Sequence, residues 1–170
     1  MSRIASQLAE VRRRIDRAAV AAGRPPESVR LLAVSKTFPA AAVLEAYEAG
    51  QRAFAENKAQ ELAAKAPLLP SDFEWHFIGH LQGNKVASVL RYASWIHSVD
   101  SVKLLQRIDR LAGEAGVTPN IMLELNLGGE ADKTGAPESA LPELVAAARA
   151  VDHIHWRGLM CMAPLDADDT

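Results

Sequence analysis

Apolar positions at three- and four-residue spacing open the chain. Ile4, Leu8, Val11 and Ile15 share one helical face, and Gly23 followed by Pro25 and Pro26 ends the pattern. This predicts an amphipathic helix over residues 2–22. The periodicity then changes. Short apolar runs at 30–35, 52–56, 74–79, 95–99, 120–127 and 154–162 read as strands. Helical stretches lie between them at 40–49, 58–66, 85–92, 102–115 and 138–151. Gly50 and Gly116 stand where helix C-caps are expected, and Asp100-Ser101 and Pro137 stand near helix starts. No low-complexity stretch or linker interrupts the series, so the only repeat is strand–helix itself.

Strands alternating with helices at this spacing predict right-handed βαβ units and a parallel sheet. A doubly wound open sheet and a (β/α)8 TIM barrel both fit. The open sheet calls for a glycine-rich phosphate turn after its first strand, and here that turn reads Ser35-Lys36-Thr37-Phe38-Pro39. Neither GxGxxG nor a P-loop occurs, which favours the barrel. Barrels take about 250 residues, and six strands leave two βα units wanting for closure. The last residues, Asp166-Ala-Asp-Asp-Thr170, form an acidic tail just past the sixth strand. The expectation is one barrel domain over 1–170, incomplete at its C-terminus, unless the sheet is not a closed barrel.

Composition narrows the function classes. The 170 residues are 49% hydrophobic and 24% charged with a net charge of −2, as in one soluble globular domain. No apolar run approaches the ~20 residues of a membrane span. The balance lacks the basic excess of a nucleic-acid surface, so neither nucleic acid nor membrane is expected as a partner. Cys161 is the sole cysteine, which excludes an internal disulfide and a cysteine-based zinc site. The N-terminus lacks a targeting pattern and carries Glu10 and Asp16, so a cytoplasmic location is expected. Those two acids also interleave with Arg12-Arg13-Arg14, which favours a solvated helix face over an anion-binding or protein-interaction surface.

Polar residues gather at strand ends. Lys36 ends the first strand and shares a parity with Leu32 and Val34. If that parity faces the lumen, its amine points into the C-terminal mouth of a barrel, where active sites of this fold lie. A lysine desolvated there can attack an aldehyde to form a Schiff base. The alternative is a surface loop lysine. Asn57 closes the second strand, His76 and His80 share a parity at the third, and Glu124 and Asn126 do so at the fifth. Together they suggest a small-molecule pocket around a lysine. No metal is expected: Phe-Ile-Gly separates His76 from His80, unlike the helical HExxH, and His153 and His155 lack a third ligand. Cys161, beside Met160 and Met162, reads as a small buried hydrophobe, and Trp75, Trp95 and Trp156 read as core.

The ordered motifs Ala33-Val-Ser-Lys-Thr37, Phe54-Ala-Glu-Asn-Lys58 with Gln60-Glu61, and Trp75-His-Phe-Ile-Gly-His-Leu-Gln-Gly-Asn-Lys85 carry a resemblance. His97-Ser-Val-Asp-Ser101, Glu124-Leu-Asn126, Lys133-Thr-Gly135 and Gly158-Leu-Met160 continue it. From about residue 4 onward the chain resembles the pyridoxal 5′-phosphate (PLP) homeostasis proteins, the YggS/PROSC family. The resemblance implies a fold type III barrel like the N-terminal domain of alanine racemase. It implies that Lys36 carries PLP as a reversible Schiff base, that Asn57 lies against the cofactor ring, and that His80 lines the mouth. It implies a monomer that buffers vitamin B6 or delivers PLP to PLP enzymes in transient encounters, without established turnover and with no catalytic residue.

Three departures from the family pattern bear on that expectation. Ala55 replaces a usual glycine, Glu124 stands where a glutamine is usual, and the Ser- and Gly-rich C-terminal segment that anchors the phosphate is absent. The expectation is therefore either part of a longer chain, or a truncated chain that keeps its lysine but holds PLP weakly. Glu124 either faces the ring and raises the basicity of Lys36, or faces the helices and is merely paired. Two enzymatic alternatives stand beside the carrier. A fold type III racemase needs a second base opposite Lys36, for which only Tyr47 and Tyr92 are available, both in predicted helices. A cofactor-free aldolase would use the Lys36 amine on the substrate carbonyl directly.

Overall fold

The computed structural model describes residues 2–128 and 134–162. Lys133 and the acidic tail at 166–170 lie outside the described residues. Among the described residues six strands form one sheet: β1 (Ala33–Val34), β2 (Ala53–Glu56), β3 (Glu74–Phe77), β4 (Trp95–Val99), β5 (Asn120–Leu125) and β6 (His155–Cys161). Each pairs in parallel with the next, in the order 1-2-3-4-5-6. A doubly wound sheet reverses its strand order at a switch point, whereas an unbroken order is that of a (β/α) barrel. Among the described residues six α-helices connect or flank the strands: α1 (Arg3–Ala21), α2 (Ala40–Glu48), α3 (Ala59–Lys65), α4 (Val86–Leu90), α5 (Val102–Ala115) and α6 (Leu141–Arg149).

Each of these strands and helices falls within a segment predicted from the pattern, β4 and α5 with the same bounds and the others with shorter ones. The first strand shrinks most, to a two-residue ladder, because Ser35 closes it with one bond to Ala55 O (2.9 Å) and the chain then turns. The caps behave as expected. Ser101 Oγ accepts from Leu104 N at 3.3 Å, and Gly116 ends α5 at φ +66°, a left-handed conformation that glycine adopts without steric cost.

The core lies between sheet and helices. Phe54, Trp75, Phe77, Ile96, Ile121 and Leu123 meet Leu62, Val89, Leu105, Ile108 and Leu144, all buried. Phe73 stacks on Tyr47, Phe54 and Trp75 at 4.7, 4.8 and 5.4 Å between ring centroids. Trp95 differs from the expectation of core: it stacks on His76 at 5.3 Å, on the opposite face of the sheet from Ile96. Cys161 also differs, being exposed. It belongs to an edge strand whose residues alternate between exposed and half-buried, so its apolar neighbours in sequence do not enclose it. The arginine run is divided. Arg12 turns inward and donates to Ala49 O and Gln51 Oε1 (3.2 and 3.0 Å), docking α1 on the sheet, while Arg13 and Arg17 pair with Glu10. That supports the solvated-face reading for the outer part of the run.

Candidate functional site at the C-terminal ends of the strands

Because all six strands are parallel, the residues at their C-terminal ends converge on one rim. Lys36 follows β1, and Asn57 follows β2. The register Val34↔Ala55 sets these two strand ends side by side. Ser35 is buried on the helix side, and Lys36, one residue on, is exposed. Lys36 occupies the second position of a tight turn closed by Phe38 N donating to Ser35 O at 3.1 Å. Thr37, in the third position, has φ +69°. A β-branched residue there costs about 1–3 kcal/mol and persists only where the surroundings over-determine it.

Those surroundings are unusually polar for a core boundary. Ser35 Oγ donates to Glu56 Oε1 at 2.7 Å. Lys65 Nζ donates to Ser35 O (2.9 Å), Glu56 Oε1 (2.8 Å) and Glu61 Oε2 (3.3 Å). Glu61 Oε2 also accepts from Thr37 N at 3.0 Å. That amide bond, then Lys65 and Lys58, hold the Glu61 carboxyl below the ordinary range against the opposing effect of desolvation. Glu56 is fully buried and Lys65 nearly so. Sequence reasoning quoted Glu56 and Glu61 within motifs but gave neither a role, and Lys65 went unremarked. An acid closing a strand with an i,i+4 Glu–Lys pair on the next helix was the available signal.

On the rim itself, Asn57 keeps a buried Oδ1 with no hydrogen-bond partner among the described residues. Glu124 is buried (2% exposed), accepts from Thr134 Oγ1 at 2.6 Å through Oε1, and leaves Oε2 without a partner among the described residues. Burial pushes the Glu124 carboxyl up, and Asp100 adds to this, while Thr134 and His80 oppose it. His80, largely exposed, sits with Nδ1 3.7 Å from Asp100 Oδ2. Gly79 explains the close fit of β3 to β2: a Cβ there would lie 2.0 Å from Asn57 O. His76, which shares a sequence parity with His80, is not part of the rim. It lies within β3, its Nδ1 2.8 Å from His97 Nε2 and its Nε2 3.1 Å from Glu74 Oε1.

Four buried side-chain atoms lack partners among the described residues: Glu56 Oε2, Asn57 Oδ1, Ser98 Oγ and Glu124 Oε2. All four belong to the last two residues of a strand or the residue just after one. Buried polar groups are ordinarily satisfied; Glu56 Oε2 lies with Lys65 on the helix side, whereas Asn57 Oδ1 and Glu124 Oε2 mark a place at this end that can receive polar atoms from a ligand.

Comparison with known proteins fits this placement. The family model described as alanine racemase, N-terminal domain, matches residues 6–170. A pyridoxal phosphate homeostasis protein of Pseudomonas aeruginosa is 46% identical over 164 residues, covering 95% of this chain and 71% of that protein. The chain belongs to the pyridoxal phosphate homeostasis protein family. Among solved structures similar to this family member is PipY of Synechococcus elongatus with PLP bound. It is 43% identical with a TM-score of 0.76, and the match covers 91% of this chain and 72% of that one. The crystal structure of an unknown protein from Bifidobacterium adolescentis superposes with a TM-score of 0.91 at 34% identity, over 97% of this chain and 71% of its own.

Proposed function

We propose that this chain binds pyridoxal 5′-phosphate at the rim and serves vitamin B6 homeostasis as a carrier, with residues 1–170 acting as one cofactor-binding barrel unit. The observation that carries the proposal is an exposed lysine on a fixed turn beside a buried Asn57 Oδ1 that has no partner among the described residues. When bound, the cofactor supplies an aldehyde that condenses reversibly with a neutral amine, releasing water. Lys36 provides that amine. Asn57 offers an acceptor to the ring side, and His80 lines the outer mouth opposite Asp100. Glu124 Oε2, without a partner among the described residues, lies at the same end, which favours the reading in which it faces the site.

Membership of a family whose named relatives are homeostasis proteins supports a carrier over an enzyme. The tyrosines support it too. Tyr47 lies in α2 ahead of β2, and Tyr92 lies just after α4 ahead of β4, so both sit toward the N-terminal ends of the strands. Tyr47 further donates to Asp72 at 2.5 Å, and this bond, with desolvation, raises its pKa. Neither is placed to move a proton opposite Lys36, as racemisation requires. The proposal includes a cytoplasmic monomer that passes PLP to recipient enzymes in transient encounters. No helix among the described residues is long and apolar enough to cross a membrane.

The test is a visible absorption titration with PLP, followed by borohydride reduction and peptide mapping. A new band with the reduced adduct on Lys36, lost in Lys36→Ala, is the expected result. No band, or an adduct elsewhere, overturns the reading. Capture of a carbonyl substrate by Lys36 without PLP would favour the aldolase instead.

A further inference from the structure

We propose that Glu56, Lys65 and Glu61 are positioning residues for Lys36, clamping the turn on both sides of it so that the amine is presented in one orientation for capture of the aldehyde. This rests on the Lys36 reading above. The residue before Lys36 is held twice, through Ser35 O by Lys65 and through Ser35 Oγ by Glu56 (2.9 and 2.7 Å). The residue after it is held through Thr37 N by Glu61 (3.0 Å). Lys65 joins the two halves by also binding Glu61 at 3.3 Å. The three charged groups thus fix the backbone on either side of Lys36 and leave its own side chain exposed.

Two features point to orientation and not to fold stability as the use of this network. Apolar residues of similar volume would fill the space between β2 and α3 with no desolvation of a buried carboxylate and ammonium. The turn the network holds is itself unfavourable, with Thr37 at φ +69°. A turn free to relax would swing the lysine, and small displacements of a reacting group cost large factors in rate.

Glu61 gives the cleanest test because it is only partly buried and its replacement leaves the Lys65–Glu56 pair intact. Glu61→Ala removes the acceptor for Thr37 N, and Glu61→Gln keeps one. The readouts are amide hydrogen exchange at Thr37 and Phe38 without cofactor, and the rate of PLP capture at Lys36 by absorbance. With melting temperature monitored as the control, Glu61→Ala is expected to speed exchange at Thr37 and slow capture, each about tenfold, while Glu61→Gln restores both. A second variant, Glu56→Gln with Lys65→Met, removes the buried charges together and is expected to slow capture similarly if folded. Folded Glu61→Ala with wild-type exchange and wild-type capture overturns the clamp and leaves the Lys36 reading standing. If the wild-type chain captures no PLP at Lys36, the reading itself falls and the clamp's role with it.

Discussion

The two ends of the strands handle polar groups in opposite ways. Near the N-terminal ends, Gln51 Nε2 donates to Leu31 O and Ala53 O (2.9 and 2.8 Å) while its Oε1 accepts from Arg12. Arg30 pairs with Glu74, which bonds His76, which in turn bonds His97, with Trp95 stacked against His76. At the C-terminal ends, beside the Glu56–Lys65–Glu61 cluster, Asn57 Oδ1 and Glu124 Oε2 stay without partners among the described residues, and a strained threonine follows an exposed lysine. A closed polar network fixes the local structure it sits in, whereas the orphaned Asn57 and Glu124 oxygens destabilise the empty fold and are best explained by what they meet when it is occupied. The difference separates the end that holds the chain together from the end that works.

Substitutions sharpen the contrast, beginning with the largest effect. Lys36→Ala is expected to abolish PLP capture while changing unfolding free energy by less than about 0.5 kcal/mol, since the side chain is exposed. Absorbance titration and urea unfolding on the same sample check both halves. Gly79→Ala should act on stability as well, forcing Asn57 O away from a Cβ only 2.0 Å distant and costing on the order of 2–4 kcal/mol in urea unfolding. An unchanged midpoint for Gly79→Ala would mean that the β2–β3 fit at the rim is looser than described.

Acid should act on the closed end. Burial, then the neighbouring His97, bring His76 down to about 4, with Glu74 opposing. Burial also lowers His97. For Glu74, burial alone would raise the carboxyl, but Arg30 and His76 together bring it below its ordinary value. In each case the folded pKa lies below the unfolded one, so the unfolded chain binds more protons. Stability is therefore complete above the unfolded histidine pKa and declines as pH falls from about 6.5 toward 4, by on the order of 2–3 kcal/mol for His76. Urea midpoints measured across that range check it; a flat profile would detach the histidine pair from the fold.

The smallest effect belongs to Glu124. Its folded pKa is raised, so its contribution is greatest below the unfolded value and is lost as pH rises through the folded one. Glu124→Gln should relieve this at neutral pH and add less than about 1 kcal/mol, a gain that disappears in acid. A loss of stability at pH 7 would show that the carboxylate is paired there.

Much of this division was legible in the amino-acid pattern. The period change after residue 23 and the caps at Ser101 and Gly116 placed the elements, and polar residues closing apolar runs marked Lys36, Asn57 and Glu124. The clamp was not legible as a unit, because Ser35, Glu56 and Lys65 are brought together only by parallel pairing and helix packing. Cys161 misled, since apolar neighbours along an edge strand say nothing about what covers its faces. Trp95 misled for a related reason: a strand tryptophan is apolar on either face, and only the register shows that it stacks on His76.

The most direct measurement of the central claim is a map of amide chemical-shift changes when PLP is added to the isotope-labelled chain. Changes concentrated at Thr37, Asn57, His80 and Glu124, with Gln51 and Arg52 undisturbed, are the predicted result. Changes centred on Gln51, Arg52 and Glu74 instead would place the ligand at the wrong end and contradict the account.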